Sequence, residues 1–231
     1  KNISKSFKLL PHVISYIEIL KKYGLENFIQ VETYENLAKV YEKKGIFSKA
    51  KLYFAKALIN SDLNLDKAEN LMSLGRINRK IGNGEEALAN YKKAINLFSE
   101  NKSEKTDLLL AQIQTNIGNI YFSWNQEDAA LYYYQKSLKI HEKKDLATAK
   151  NYNNIGIVLL NKENYKPALE NLFKARNIYK KEQTDLLLAE TYENISIARK
   201  MQGTYLKTYA QTLEALCSIT YTNNCCPEIQ S

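Results

Sequence analysis

Small and large apolar residues recur along this chain in a fixed order, and the order has the period of helices. Ala38, Gly75, Gly118, Gly156 and Ser196 each follow an aliphatic residue: Leu37, Leu74, Ile117, Ile155 and Ile195 respectively. Twelve residues after each of these anchors come Ala50, Ala87, Ala130, Ala168 and Thr208, and nineteen after come Ala57, Ala94, Ser137, Ala175 and Ala215. Sixteen after lie Phe54, Tyr91, Tyr134, Leu172 and Thr212, so four of the five units set a large apolar residue between two small ones. Spacings of four and then three keep these residues on one face of a helix, while the anchor belongs to an earlier helix. The pattern predicts antiparallel helix pairs that cross closely, because small side chains let the backbones approach and the large one fills the adjoining hole.

The ends of the helices are marked as well. Seven residues after the anchors stand Gly45, Gly82, Asn125, Glu163 and Gly203, mostly residues that tolerate the left-handed conformation that ends a helix, so each is expected to turn the chain within a pair. Eleven residues before the anchors come Asn27, Asp107, Asp145 and Asp185, with Asp66 nine before, all able to cap the first helix of a unit. Pro11 sits where Pro167 does, at the expected first turn of a second helix. Residues 1–26 therefore read as part of a preceding repeat, with its second helix at about 11–23. Residues 27–221 read as about five helix pairs and 222–231 as a C-terminal tail.

These positions resemble the tetratricopeptide repeat, whose pattern of small, aromatic and turn residues is matched from residue 27 to about 220. The anchors lie 37, 43, 38 and 40 residues apart, longer than the usual period of about 34. This is similar to the long-helix variety found in kinesin light chains, in the Leu-Gly-Asn-rich regulators of heterotrimeric G proteins and in bacterial sensor proteins. Thr106-Asp-Leu-Leu-Leu-Ala111 and Thr184-Asp-Leu-Leu-Leu-Ala189 are near copies, as duplication would leave them. The resemblance implies an all-α fold, a right-handed α-solenoid of antiparallel helix pairs whose first helices line a concave face.

Two residues before the anchors stand Asn36, Ser73, Asn116, Asn154 and Asn194, and helical spacing turns this position away from the partner helix. An amide offers donors and an acceptor to a ligand backbone. The resemblance implies such an asparagine ladder at Asn36, Asn116, Asn154 and Asn194, interrupted by Ser73; hydrogen bonds between neighbouring helices are the competing reading. Lys39, Arg76 and Arg79, with Lys43 and Lys80 at the rim, make the early units basic. The equivalent later positions hold Asn119, Phe122, Ile157, Leu160 and Ile197. The candidate peptide-binding residues are thus Asn36, Asn116, Asn119, Asn154, Asn194, Lys39, Arg76 and Arg79, and the expected partner is a protein presenting an extended segment, acidic and then hydrophobic.

Composition agrees with helices: 231 residues include only 8 Gly and 3 Pro, with 45% hydrophobic and 25% charged. Apolar runs such as Ile155 to Leu160 are too short to span a bilayer, so no membrane partner is expected. Cys217, Cys225 and Cys226 crowd the last fifteen residues and cannot staple the body of the fold, which points to a reducing, cytoplasmic setting. The net charge of +8 is scattered along the chain, which disfavours nucleic acid as a partner. His12 and His141 fall in different units, and no Gly-rich phosphate loop, His-Glu-x-x-His run or Cys-x-x-Cys pair is present, so no catalytic residue, metal or cofactor is expected. Tyr41, Tyr53, Tyr91, Tyr121 and Tyr134 fall at packing registers, and Trp124 is either a partner anchor or packed on a turn. The sequence therefore reads as a non-catalytic protein–protein interaction scaffold. The alternative is a peptide-gated regulatory domain of a larger signalling protein, and a weaker one is nucleic-acid binding through the basic early repeats.

Overall fold

Helix pairs form where the small, large, small register predicts them. The structure, a computed structural model, describes residues 2–25, 29–98, 103–140 and 145–220; for residues 2–10, 205 and 208–220 it describes the backbone alone. The described residues form helices and no strand. The chain divides into two compact units, residues 1–141 and 142–231. The first holds α1 (Asn2–Lys22), α2 (Val31–Lys43), α3 (Phe47–Asn60), α4 (Asn64–Lys80), α5 (Gly84–Phe98), α6 (Glu104–Ser123) and α7 (Glu127–Ile140). The second holds α8 (Leu146–Asn161), α9 (Tyr165–Lys181) and α10 (Asp185–Thr220). Consecutive helices pack as hairpins, α2 with α3, α4 with α5, α6 with α7 and α8 with α9.

The anchors explain the closeness of these hairpins. A Cβ added to Gly75 would come within 2.6 Å of Tyr91 Cε1, one on Gly118 within 2.6 Å of Tyr134 Cε1, and one on Gly156 within 2.6 Å of Leu172 Cγ. The large residue sixteen positions on therefore lies directly on the anchor's backbone. Ala50, Ala57, Ala87, Ala94, Ala130, Ala168 and Ala175 are all fully buried, as close crossing demands. In the first unit, Tyr34, Leu37, Tyr41, Phe54 and Ile77 make one core, and Leu71, Tyr91, Phe98, Ile113, Ile117 and Ile120 another. Tyr41 stacks on Tyr53 at 5.5 Å and Tyr121 on Tyr133 at 5.2 Å, so these tyrosines do pack. In the second unit, Leu172 of α9 packs on Ile195 and Ala198 of α10.

Four turns within the helix pairs repeat one geometry, which Gly24 and Gln183 also adopt between pairs. Gly45, Gly82, Asn125 and Glu163 have φ of 73°, 89°, 57° and 59°. After each, the amide of the next residue reaches back five positions: Ile46 to Tyr41 at 2.9 Å, Asn83 to Asn78 at 2.8 Å, Gln126 to Tyr121 at 2.9 Å and Asn164 to Leu159 at 2.9 Å. This bond satisfies a carbonyl that the helix end leaves open.

The fifth turn is not there. Residues 201–204 are helical, Gly203 has no positive φ, and α10 runs 36 residues without a break. Glycine permits the left-handed corner but does not require it, and Met201, Gln202, Leu206 and Lys207 around it favour helix. Pro11 likewise lies inside α1 and not at its first turn, where its ring removes one helical hydrogen bond and crowds the carbonyl four residues back. Asp145 caps α8 as expected, accepting from Ala147 at 3.0 Å and Thr148 at 3.1 Å. Asp66, Asp107 and Asp185 fall inside the first turns of their helices, where a carboxylate still favours the positive helix end. The cap of α6 is Ser103, whose hydroxyl accepts from Thr106 while its own amide donates to the Thr106 hydroxyl at 2.8 Å. Asn27, His141, Cys225, Cys226 and the 222–231 tail lie outside the described residues.

Candidate functional site

In the first unit, α2, α4 and α6 follow one another as first helices of their pairs, and their outer positions carry the candidate side chains. Asn36 and Lys39 on α2 are exposed, and Asn116 and Asn119 on α6 are half-buried. Lys39 pairs with Glu35 one turn back at 3.3 Å. Glu35 also accepts from Asn70 of α4 at 2.9 Å, so it ties two first helices together.

Arg76 and Arg79, three residues apart on α4, have different surroundings. Arg76 is bound to Glu42 of α2, and Lys80 joins the same carboxylate oxygen at 3.0 Å. The Glu42 side chain is only 8% exposed, so one nearly buried carboxylate serves two cations. Arg79 has no ion pair among the described residues; its Nε is buried without a hydrogen-bond partner. Its guanidinium lies beside the Tyr91 hydroxyl, which is itself buried with no well-aligned bond, and within electrostatic range of Tyr134. Burial pushes the Tyr91 phenol up to about 12, against the pull of Arg79 and Arg76. Burial also raises Tyr134, which donates its hydroxyl to Asn119 Oδ1 at 2.8 Å.

This patch therefore holds three cations, Arg76, Arg79 and Lys80, against the single carboxylate of Glu42. Arg79 has buried part of its hydration and gained no anion in return, which suits it to receive a carboxylate from outside. The register of Arg79 is visible in the sequence. The engagement of Arg76 is not, because Glu42 lies 34 residues away in another repeat. Tyr91 and Tyr134 were legible only as packing residues; their polar ends join the site because the small anchors draw them across the first helices.

In the second unit, Asn154 on α8 is half-buried and already makes a polar contact. Asn194 of α10 donates to Asn153 Oδ1 of α8 at 3.3 Å, so it holds two helices together. Ile157 and Leu160 are half-buried and Ile197 is 47% exposed. The candidates thus fall into two sets, Asn36, Lys39, Arg76, Arg79, Asn116 and Asn119 in one unit and Asn154 and Asn194 in the other. Trp124 ends α6 with its edge toward Tyr121 at 5.8 Å, and it fills the space beside Gly84, where a Cβ would meet its ring at 2.6 Å; it packs on the turn. Among the described residues no three His, Cys, Asp or Glu side chains come together to hold a metal ion, and no helix is long and apolar enough to cross a membrane.

Residues 31–58 and 66–143 match the tetratricopeptide repeat family. These two stretches are tetratricopeptide repeats. Solved tetratricopeptide-like structures resemble the chain over much of its length. BtubC (BKLC) from P. vanneervenii superposes with a TM-score of 0.66 at 19% identity, over 99% of this chain and 94% of that one. The apo form of the quorum sensor NprR from B. thuringiensis gives 0.69 at 20% identity, over 82% of this chain and 53% of that one. The apo form of RapI gives 0.73 at 19% identity, over 90% and 59%. At these identities the likeness is one of fold. No curated protein sequence matches the chain.

Proposed function

We propose that this protein is a non-catalytic scaffold that holds an extended segment of a partner protein against the first helices of residues 29–140. The observation that carries the reading is Arg79: a half-buried guanidinium flanked by tyrosines, with no carboxylate of its own. A partner Asp or Glu completes it, and the amides of Asn36 and Asn116, on the same run of helices, bind ligand backbone.

Selection from a random twelve-residue peptide display library on the immobilised protein tests this. Enriched peptides should carry Asp or Glu, weaken as salt rises, and lose affinity at least tenfold for Arg79→Glu. Glu42→Gln should strengthen binding, because it releases Arg76 and Lys80. Peptides without acidic bias that bind Arg79→Glu as well as wild type would overturn the reading.

A second reading, a regulatory domain gated by a peptide signal, has in its favour the fold shared with the quorum sensor NprR. It requires the same binding and adds a change of shape on ligation, which small-angle scattering with and without a selected peptide would detect.

A further inference from the structure

Charge does not balance where α2 and α4 meet. Arg76, Arg79 and Lys80 fall in the last five residues of α4, and among the described residues the carboxylate paired with this group is Glu42 of α2. Arg76 and Lys80 converge on one oxygen of Glu42, yet their side chains stay 33% and 38% exposed. An arginine has five N–H donors and a lysine three, so both keep donors that Glu42 does not occupy. Arg79 has no ion pair among the described residues. Three cations against one carboxylate leave two positive charges unmatched.

The cations are also held in place. Arg79 is half-buried with its Nε inside, beside the buried Tyr91 hydroxyl, which restricts its guanidinium to few orientations. Tyr91 is fixed in turn, because its ring lies on the backbone of Gly75. Glu42 orients Arg76, and Lys80 is held both by Glu42 at 3.0 Å and by the ring of Phe47, whose centre lies 5.6 Å from its ammonium. Guanidinium groups fixed in this way bind oxyanions with little loss of freedom.

The surplus selects among oxyanions. An Asp or Glu of a partner supplies one negative charge and two oxygens. A phosphorylated side chain supplies about 1.5 to 2 negative charges near neutral pH and three acceptor oxygens. A phosphodiester in a nucleic-acid strand carries a single charge, so RNA or DNA matches less well. We infer, on the reading that these helices dock a partner segment, that the acidic group they receive is a phosphorylated serine or threonine, bound by Arg79 with Arg76 and Lys80 beside it. Docking then follows the phosphorylation state of the partner, since an unmodified hydroxyl brings no charge to the patch.

Phosphopeptides test this. A degenerate pool of twelve-residue peptides with a fixed central phosphoserine is passed over the immobilised protein, beside the same pool with glutamate at that place. Peptides retained from either pool are made again with phosphoserine, glutamate or serine and measured by fluorescence anisotropy. The phosphoserine form should bind about tenfold tighter than the glutamate form and about a hundredfold tighter than the serine form. Arg79→Glu should abolish binding of both acidic forms. Arg76→Gln and Lys80→Gln each remove one surplus charge and should bring the two acidic forms to within about threefold of each other. Lys80 is the more exposed of the two, so its variant answers if Arg76→Gln loses helix content. Equal affinity of the acidic forms for wild type overturns the phosphate assignment and leaves a scaffold that docks carboxylates. A preference that both variants keep unchanged overturns it as well. So does a single-stranded RNA twelve nucleotides long that displaces the phosphopeptide at equal concentration. Retention from neither pool overturns the phosphate assignment and the docking reading together.

Discussion

Tyr134 donates its hydroxyl to Asn119 Oδ1 at 2.8 Å, while Arg76, which stands in Asn119's register one repeat earlier, is bound to Glu42 instead. The Tyr91 hydroxyl is consequently buried without an aligned partner. Two tyrosines in one structural role should thus respond differently to loss of the oxygen. Tyr134→Phe should lower unfolding free energy by about 0.5 to 1.5 kcal/mol, the usual worth of one hydrogen bond, and Tyr91→Phe should leave it unchanged or raise it. Urea unfolding followed by circular dichroism would show the order, and a larger loss at Tyr91 would contradict the geometry.

The same burial sets the response to alkali. A phenol titrates near 10 in an unfolded chain, and in the folded protein Tyr91 is pushed up to about 12. The folded state therefore keeps its proton where the unfolded state loses it. The contribution is complete below about pH 10 and is lost as pH rises from there toward 12. Melting temperature should fall steeply above pH 10, and less steeply for Tyr91→Phe. Parallel curves for the two proteins would rule out this origin.

Gly118 is held against the ring of Tyr134, so Gly118→Ala gives no room for its methyl unless the ring moves. Helix propensity favours alanine by about 1 kcal/mol, but overpacking a close crossing should outweigh it, with a net loss of about 1 to 2 kcal/mol. Differential scanning calorimetry would decide the sign; a more stable variant would mean that the hairpin can open without strain.

Gly203 and Gly82 should part in the opposite sense. Gly203 is helical, with nothing within 4 Å of an added Cβ, so Gly203→Ala should raise stability by about 0.5 to 1 kcal/mol. Gly82 has φ of 89°, and Gly82→Ala should lower stability by about 1 kcal/mol or more. A loss at both positions would show a turn at 203.

Spacing made the helix pairs legible, because Ala, Gly and aromatic residues at twelve, sixteen and nineteen from an anchor leave few other ways to pack. Gly203 misled for a physical reason: its place at the turn register signals permission, and the helix formers beside it win. The asparagines were legible as a register but not by role. Asn194 is spent on Asn153, a contact between α8 and α10 that depends on how adjacent helices stack. Arg76 and Arg79 were equivalent in sequence and diverge in the fold, since Glu42 reaches one of them from the neighbouring repeat.

The corners of the hairpins are fastened by main-chain atoms, and this has a consequence for how the repeats can drift. Asn125 and Glu163 adopt left-handed φ of 57° and 59° that the backbone bond imposes, although neither is glycine. Each carries a steric burden of about 1 kcal/mol that a hydrogen atom in place of the side chain would lift. The joints at Gly45 and Gly82 are relaxed and those at Asn125 and Glu163 are sprung, so heat should loosen the α6–α7 and α8–α9 corners before the earlier two.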